Sequence, residues 1–452
     1  MDKQNHPVTF AEAFRLWLKI GLIGFGGPAG QIALMHRLLV DEKKWVSESR
    51  FLHALNYCML LPGPEAQQLA TYMGWLLHRT AGGLAAGILF VLPGAMVMWG
   101  LSLLYATLHE IPLVQAVFFG IKAAVLAVVV EALLRISKRA LKNKAMYGLA
   151  GLAFFAIFFL DLPFPLIVAG AGLIGLVGQR RWPEIFVPGK KADAQSGAVI
   201  DQAFLDGHLN HAKPDAAKAL RTLALWSFLW LAPVVLFAHF LGPDHVFTQE
   251  GIFFSKMAVV TFGGAYAVLA YVAQQAVDVF GWLNPGEMLD GLGLAETTPG
   301  PLIMVLQFVG FLAAWRNPGG LDPFWAGTIG AVVTTWVTFA PCFLWIFLGA
   351  PYIESLRGNK SLNAALSAIT ASVVGVVLNL SVWFALHVLF HKVEDVRISG
   401  LKISLPDPAS LDIWALALSA LAILATLRFK MGMLKVLALS ALLGVVIQVL
   451  RV

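Results

Sequence analysis

Apolar runs of 15 to 28 residues fill this sequence almost end to end, separated by short polar or Gly/Pro-rich intervals. They fall near 14–35, 51–78, 84–108, 112–134, 145–160, 164–178, 222–241, 251–278, 288–315, 323–350, 363–390, 411–427 and 431–450. A helix needs about 20 apolar residues to cross the hydrocarbon of a bilayer, so 452 residues allow about a dozen crossings. With 59% hydrophobic and 13% charged residues, no water-soluble fold can hide this surface. In lipid every backbone polar group must be satisfied internally, which selects helices. The expectation is an all-α polytopic integral membrane protein. Its 42 Gly and 22 Pro suit broken helices.

The net charge of +6 does not signal nucleic acid, because the basic residues cluster between apolar runs, as the positive-inside rule requires. Lys3, Arg15 and Lys19 place the N-terminus inside, and Met1–Phe10 has no leader-like apolar core. Thr9 and Glu12 have capping-box spacing. Arg135, Lys138, Arg139, Lys142 and Lys144 mark a second cytoplasmic loop, and Arg180, Arg181, Lys190 and Lys191 a third. The run between them therefore turns at Asp161-Leu162-Pro163. Arg357 and Lys360 lie inside, as do Arg428, Lys430 and Lys435. The C-terminus then lies outside and the number of crossings is odd. Trp45 and Trp282 read as interfacial anchors. Cys58 and Cys342 form no disulfide or metal framework.

Residues 182–221 are the one soluble-looking stretch. They read as a cytoplasmic linker between an N-terminal transmembrane repeat, 1–181, and a C-terminal one, 222–452. His208, His211, Asp206 and Asp215 within it show no recognisable ligand geometry.

The two halves repeat. Lys19, Phe25-Gly26-Gly27, Trp45 and Pro62-Gly63-Pro64 recur as Lys256, Phe262-Gly263-Gly264, Trp282 and Pro299-Gly300-Pro301, all at an offset of 237 (299 − 62). After an insertion the match resumes at 248 (341 − 93), pairing Pro93 with Pro341 and Lys122 with Thr370. The first copy begins inside and the second outside, after Gly242-Pro243-Asp244, so the copies are expected to have inverted topology, the construction of many secondary transporters.

Candidate binding residues cluster at the repeated interruptions. Glycine lets the chain turn, proline suits a first helical turn, and the free N–H groups of a helix start attract an anion. Gly26, Gly27, Pro28 and Gln31 form one such start, and Pro62, Gly63, Pro64, Gln67 and Gln68 another. Gly263, Gly264 and Tyr266, and Thr297, Thr298, Pro299, Gly300 and Pro301, are their counterparts. Lys122 stands about nine residues, roughly 14 Å, into its segment, where a lone ammonium is costly. It reads either as a functional charge or as half of a structural ion pair. Lys256, placed near the outer end of its run, adds positive charge. Glu65 and Glu296 flank the Pro-Gly-Pro motifs as candidates for proton coupling, or for interfacial salt bridges. Glu131 and Arg135 form an ordinary i,i+4 pair.

There is no P-loop, HExxH or Gly-x-Ser-x-Gly motif, so neither a cofactor, a metal nor an enzyme activity is expected. A channel of the same architecture, or an integral-membrane enzyme on a phosphorylated lipid, remains an alternative.

At these motifs the chain resembles the chromate ion transporter family in its long, two-domain form. The resemblance rests on Gly24-Phe25-Gly26-Gly27-Pro28, Trp45 and Leu61-Pro62-Gly63-Pro64 in the first half. In the second it rests on Thr261-Phe262-Gly263-Gly264-Ala265-Tyr266 and Thr298-Pro299-Gly300-Pro301. It implies a cytoplasmic-membrane exporter of chromate that confers chromate resistance, with sulfate as a competing analogue. Sulfate or another oxyanion, moved in either direction, is the alternative cargo. The lipid bilayer is the implied partner, nucleic acid is not, and the assembly is left open, a homodimer included.

Overall fold

The computed structural model describes residues 8–25, 27–59, 61–186, 215–262, 265–352, 360–398 and 401–451. Gly26, Gly263, Gly264 and most of the linker, with His208, His211 and Asp206, lie outside the described residues. Among the described residues six helices are long and apolar enough to cross a membrane. Large apolar side chains on their outward faces, such as Met96, Leu113, Val235 and Leu442, are more than half exposed, as a lipid-facing surface requires.

The first half opens with α1 (Phe10–Ile23), capped by the Thr9 hydroxyl, which accepts from the Glu12 N–H. The chain breaks at Gly24 and returns as α2 (Gly27–His36), which runs on as a π-helical turn, Arg37–Glu42. Lys43 then reaches Glu12 at 2.9 Å, so the end of this arm comes back beside the start of α1. Arms of 14 and 10 residues are too short to cross a bilayer; together they form a re-entrant hairpin.

A second hairpin follows. Helix α3 (Glu48–Cys58) leads to Pro62-Gly63-Pro64, and α4 (Glu65–Leu108) begins there. Its first arm, 65–77, ends where non-helical angles at His78 and Arg79 reverse the chain. There the His78 ring meets the Val8 carbonyl at 3.0 Å. Gly74 and Gly82 permit the fold-back, since a Cβ on either would lie 2.2–2.3 Å from the other's carbonyl oxygen. The long arm, 80–108, then spans about 43 Å. Helices α5 (Pro112–Ala140), α6 (Lys144–Phe158) and α7 (Phe164–Arg181) complete the half, with α6 and α7 turning at Asp161 as expected, and a short α8 (Pro183–Phe186) follows.

Helix α9 (Ala216–Phe240) starts at Asp215, where the N–H groups of Lys218 and Ala217 hold the carboxyl below the usual carboxylate range. The same order of elements then recurs. Helix α10 (Val246–Val260), a break at Thr261, α11 (Ala265–Gln274) and a π turn (Gln275–Val279) make the third hairpin. Helices α12 (Pro285–Thr297) and α13 (Val305–Arg316), joined through Pro299-Gly300-Pro301 and a 3-10 turn, make the fourth. The long helices α14 (Pro323–Gly349) and α15 (Lys360–Leu389) and the shorter α16 (Ile413–Leu427) and α17 (Met433–Arg451) follow. An antiparallel hairpin, β1 (Val393–Ile398) with β2 (Leu401–Pro406), is inserted before α16 and has no counterpart among the described elements of the first half.

The bases of the two hairpin pairs sit at opposite ends of the long helices. The 80–108 arm starts beside Val8 and ends where the Tyr105 hydroxyl donates to Asp290 of α12 at 2.8 Å. In the other direction, α14 starts just after Gly319, which lies against His245, the N-cap of α10, and ends with Phe347 against Gly83. Arg316 closes the fourth hairpin with a bidentate pair to Glu287 at 2.5 and 2.8 Å and a bond to the Trp282 carbonyl at 3.0 Å. Trp45 and Trp282 are buried rather than interfacial. Trp282 stacks on Phe280 with ring centroids 4.2 Å apart, because each tryptophan sits under a turn at a hairpin base.

Candidate functional site

A helix broken inside a membrane leaves backbone N–H and C=O groups with no partner, and lipid offers none. Here the breaks satisfy each other across the two halves. The Gly63 N–H donates to the Thr261 carbonyl at 2.7 Å, and the Gly300 N–H donates to the Gly24 carbonyl at 3.0 Å. Gly63 and Gly300 are one repeat offset apart, and so are Gly24 and Thr261 (261 − 24 = 237), so the two bonds are reciprocal. Gly63 and Gly300 have φ of +110° and +92°, which glycine alone adopts freely.

Each second-hairpin tip also presses on the middle of a long helix. A Cβ on Gly94 would lie 2.3 Å from the Pro299 carbonyl oxygen, and a Cβ on Gly63 would lie 2.9 Å from Cys342 Sγ. Gly94 and Cys342 are themselves equivalent at the second offset (342 − 94 = 248). Four tips and two long helices thus meet in one junction near mid-depth.

The glutamines act as braces of this junction. Gln31 donates to the Gly24 carbonyl at 3.0 Å and also to the Gly300 carbonyl, which ties a first-half tip to a second-half one. Gln68 donates to the Pro62 carbonyl at 2.7 Å, and Gln67 to the Thr71 hydroxyl at 3.1 Å. In this conformation both Gln31 amide protons are engaged by carbonyls, while Gln67 and Gln68 each make one amide bond. The hydroxyls of Thr297 and Thr298 likewise donate back into α12, to Leu294 and Ala295. What stays open is backbone. The starts at Glu65 and at the 3-10 turn after Pro301 have no side-chain cap, and their first N–H groups carry the positive end of the helix dipole.

Tyr266 donates to Glu296, a buried carboxylate just before the second Pro-Gly-Pro tip. Its first-half counterparts are Ala29 and Met59, so the pair belongs to one half only. Glu65 is the first residue of α4 and is part-exposed.

The lysines do not join the junction. Lys122 Nζ lies 3.3 Å from Asp290 of α12, eight residues and about 12 Å before Thr298. Lys256 stands one turn before the break at Thr261, on an exposed face, not near the outer end of its helix as its apolar run suggested. Its helix starts at Val246, before the apolar run that begins at 251, and stops at Val260, which puts Lys256 near the break. Asp290 and the fully buried Glu250 escaped the sequence reading. Asp290 is an acid inside the run 288–315, the same signal that singled out Lys122, while Glu250 sits one residue ahead of the run 251–278.

Short broken hairpins meeting within a bundle of long apolar helices define an all-α polytopic membrane protein. The chain belongs to the chromate transporter family, whose model matches residues 11–176 and 249–445. It is 32% identical over 376 residues to the chromate transport protein of Pseudomonas aeruginosa, covering 82% of this chain and 80% of that one. The chromate transport protein of Cupriavidus metallidurans is 27% identical over 372 residues, covering 82% and 81%. The uncharacterized transporter YwrB of Bacillus subtilis is 30% identical over 162 residues, which are 79% of its length and 35% of this chain. No solved structure matches the chain.

Proposed function

We propose that this protein is a secondary active carrier that exports chromate across the cytoplasmic membrane and so confers chromate resistance, with sulfate competing for the same site. The two halves, 1–181 and 222–452, work as inverted copies about an axis in the membrane plane, with the N-terminus inside and the C-terminus outside. Alternating access is then the exchange of two equivalent arrangements around the junction.

The observation that carries this reading is the reciprocal pair of bonds, Gly63 to Thr261 and Gly300 to Gly24. A contact that maps onto itself when the halves are exchanged is what a two-fold relation requires. Two findings add to it: the hairpin bases lie at opposite ends of the 80–108 arm, and a relative about half as long matches roughly one copy.

Chromate is a tetrahedral dianion with only acceptor oxygens, and helix starts are donor sites for such a group. Gly27, Pro28, Glu65 and the turn after Pro301 supply those starts. Lys122, whose side chain is 29% exposed against 3% for Asp290, supplies countercharge on the outer approach. An inside-negative potential favours outward movement of a dianion by about 4.6 kcal/mol at 100 mV.

The test is uptake of radiolabelled chromate into energised everted vesicles that contain the protein, against empty ones. Saturable, potential-dependent uptake inhibited by sulfate is the expected result. Uptake that never saturates would make the protein a channel, and no difference from empty vesicles would remove chromate as the cargo.

A further inference from the structure

Glu250 is the most anomalous charge-bearing group in the molecule. It lies on α10 five residues after the His245 cap, about 7 Å inside the outer base. It is 0% exposed, and neither carboxylate oxygen has a hydrogen-bond partner. Its equivalent in the first half is Ala13 (250 − 237), an ordinary buried apolar residue. No packing need therefore demands an acid there, and an unpaired carboxylate in a dry interior is among the most costly groups to bury.

At the Gly330 crossing this carboxyl shares the space with the Gly310 carbonyl oxygen and the Ala314 methyl. Gly330 of α14 leaves room for it: a Cβ there would sit 3.2 Å from Glu250 Oε1 and 2.5 Å from the Gly310 carbonyl oxygen. One turn further, the Thr334 hydroxyl is also fully buried and without a partner, and it fills the space beside Gly310.

Among the described residues no cation faces Glu250 from the elements packed on α10. Helix α14 carries no Asp, Glu, Lys, Arg or His, and its Cys342 lies two turns past Thr334 against Gly63. Arg316, at the end of α13, is held by Glu287. Lys218, Arg221 and His239 of α9 lie at the ends of that helix, and Lys256 and His245 of α10 point to the exposed face and to Gly319. Acceptor oxygens around an unpaired carboxylate suit a positive ion and repel an oxyanion.

Resting on the carrier reading above, we infer that Glu250, with Thr334 and the Gly310–Gly330 crossing, is the seat of the coupling cation. That cation is a proton or a sodium ion, one positive charge taken up and released once per cycle. Glu65, part-exposed, and Glu296, held by Tyr266, are less suited to the role.

Two readouts test this. The carboxyl reagent dicyclohexylcarbodiimide adds across its C=N bond the O–H of a protonated acid, and the adduct is read by mass spectrometry on protein in native membranes. An adduct on Glu250, lost in Glu250→Gln, is expected. Raising the pH suppresses it at least fivefold if the cation is a proton, and added sodium at constant pH does so if it is sodium. No adduct on Glu250, or one indifferent to both, overturns the site. In proteoliposomes clamped at zero potential, Glu250→Gln should keep chromate–chromate exchange within about twofold and lose all response to the cation gradient; a response equal to the parent's overturns the coupling. Cation-sensitive labelling without any chromate exchange would retain this cation site and remove the carrier reading. Exchange without cation-sensitive labelling would do the reverse.

Discussion

Lys122 of α5, part-exposed, and the buried Asp290 of α12 form an ion pair between the two halves, Nζ to Oδ2 at 3.3 Å, with the Tyr105 hydroxyl on the same carboxylate oxygen. Gly286, one turn before Asp290, leaves open room beside the ammonium, since a Cβ there would lie 3.0 Å from it. The pair fixes the arm that ends in the Pro299-Gly300-Pro301 tip. Its equivalents, Thr370 and His53, repeat neither charge type in the other half.

Removing one member leaves an uncompensated buried charge, so Lys122→Met alone should destabilise the protein by about 3–5 kcal/mol. Lys122→Met with Asp290→Leu should recover most of that, because replacing a whole buried pair with apolar residues is often neutral. If Lys122 also serves the anion, the double variant melts like the parent yet moves chromate at least tenfold more slowly. Melting curves and vesicle uptake on the same preparations separate the two roles, and a double variant with normal uptake confines Lys122 to structure.

Gly94 and Gly100 lie on one helix and make a matched pair of substitutions. Alanine at Gly94 meets the Pro299 carbonyl at 2.3 Å, backbone against backbone, and overpacking of this kind costs about 1–3 kcal/mol. Alanine at Gly100 meets nothing within 4 Å. Gly94→Ala should lower the melting temperature and abolish chromate uptake, while Gly100→Ala should change neither.

The overall class was legible from the apolar runs alone, because lipid leaves so few solutions for a backbone. The matched spacing of Gly, Pro and Trp was legible too, and the positions it pairs, Gly63 with Gly300 and Gly24 with Thr261, carry the bonds between the halves. Hidden was the return of each broken helix to its own side. Hydropathy measures solvent, and both arms of a re-entrant hairpin are apolar, so a span and a re-entrant pair read alike over 14–78. Lys256 was placed too near the outer end because its helix starts at Val246, ahead of the apolar run. The ion pair at Asp290 needed three-dimensional proximity across 168 residues of sequence (290 − 122), which no local pattern carries.

Gln31 offers a direct test of the brace. Gln31→Leu removes the amide donor from the Gly300 carbonyl, at about 1–3 kcal/mol for a buried group left without a partner, while the Gly24 carbonyl keeps the Gly300 N–H. The expected outcome is a lower melting temperature with chromate uptake lost. Unchanged melting would show that water replaces the amide.

Opposed bases predict opposed labelling. Cysteine placed at Lys44, beside the first base, should react with an impermeant maleimide only in everted vesicles. Cysteine at Asn317, beside the second, should react only in right-side-out cells. Both native cysteines are buried, so the parent sequence is a silent background. Labelling of both positions from one side would rule out the inverted arrangement.

Glu65 and Glu296 are expected to be bystanders in energisation. Glu65→Gln and Glu296→Gln should each retain the response of chromate flux to an imposed cation gradient, measured as for Glu250→Gln. Loss of that response in Glu296→Gln alone would move the coupling role to the tyrosine-held carboxylate at the tip.

The handshake between the halves at Gly63–Thr261 and Gly300–Gly24 is made by main-chain atoms. No side-chain replacement that spares the two turning glycines can erase it. The side chains around it are free to differ between the halves, as they do at Lys122/Thr370, Glu296/Met59 and Glu250/Ala13. A scaffold whose hinge is anonymous in this way can change its cargo and its fuel one residue at a time without having to reinvent its motion.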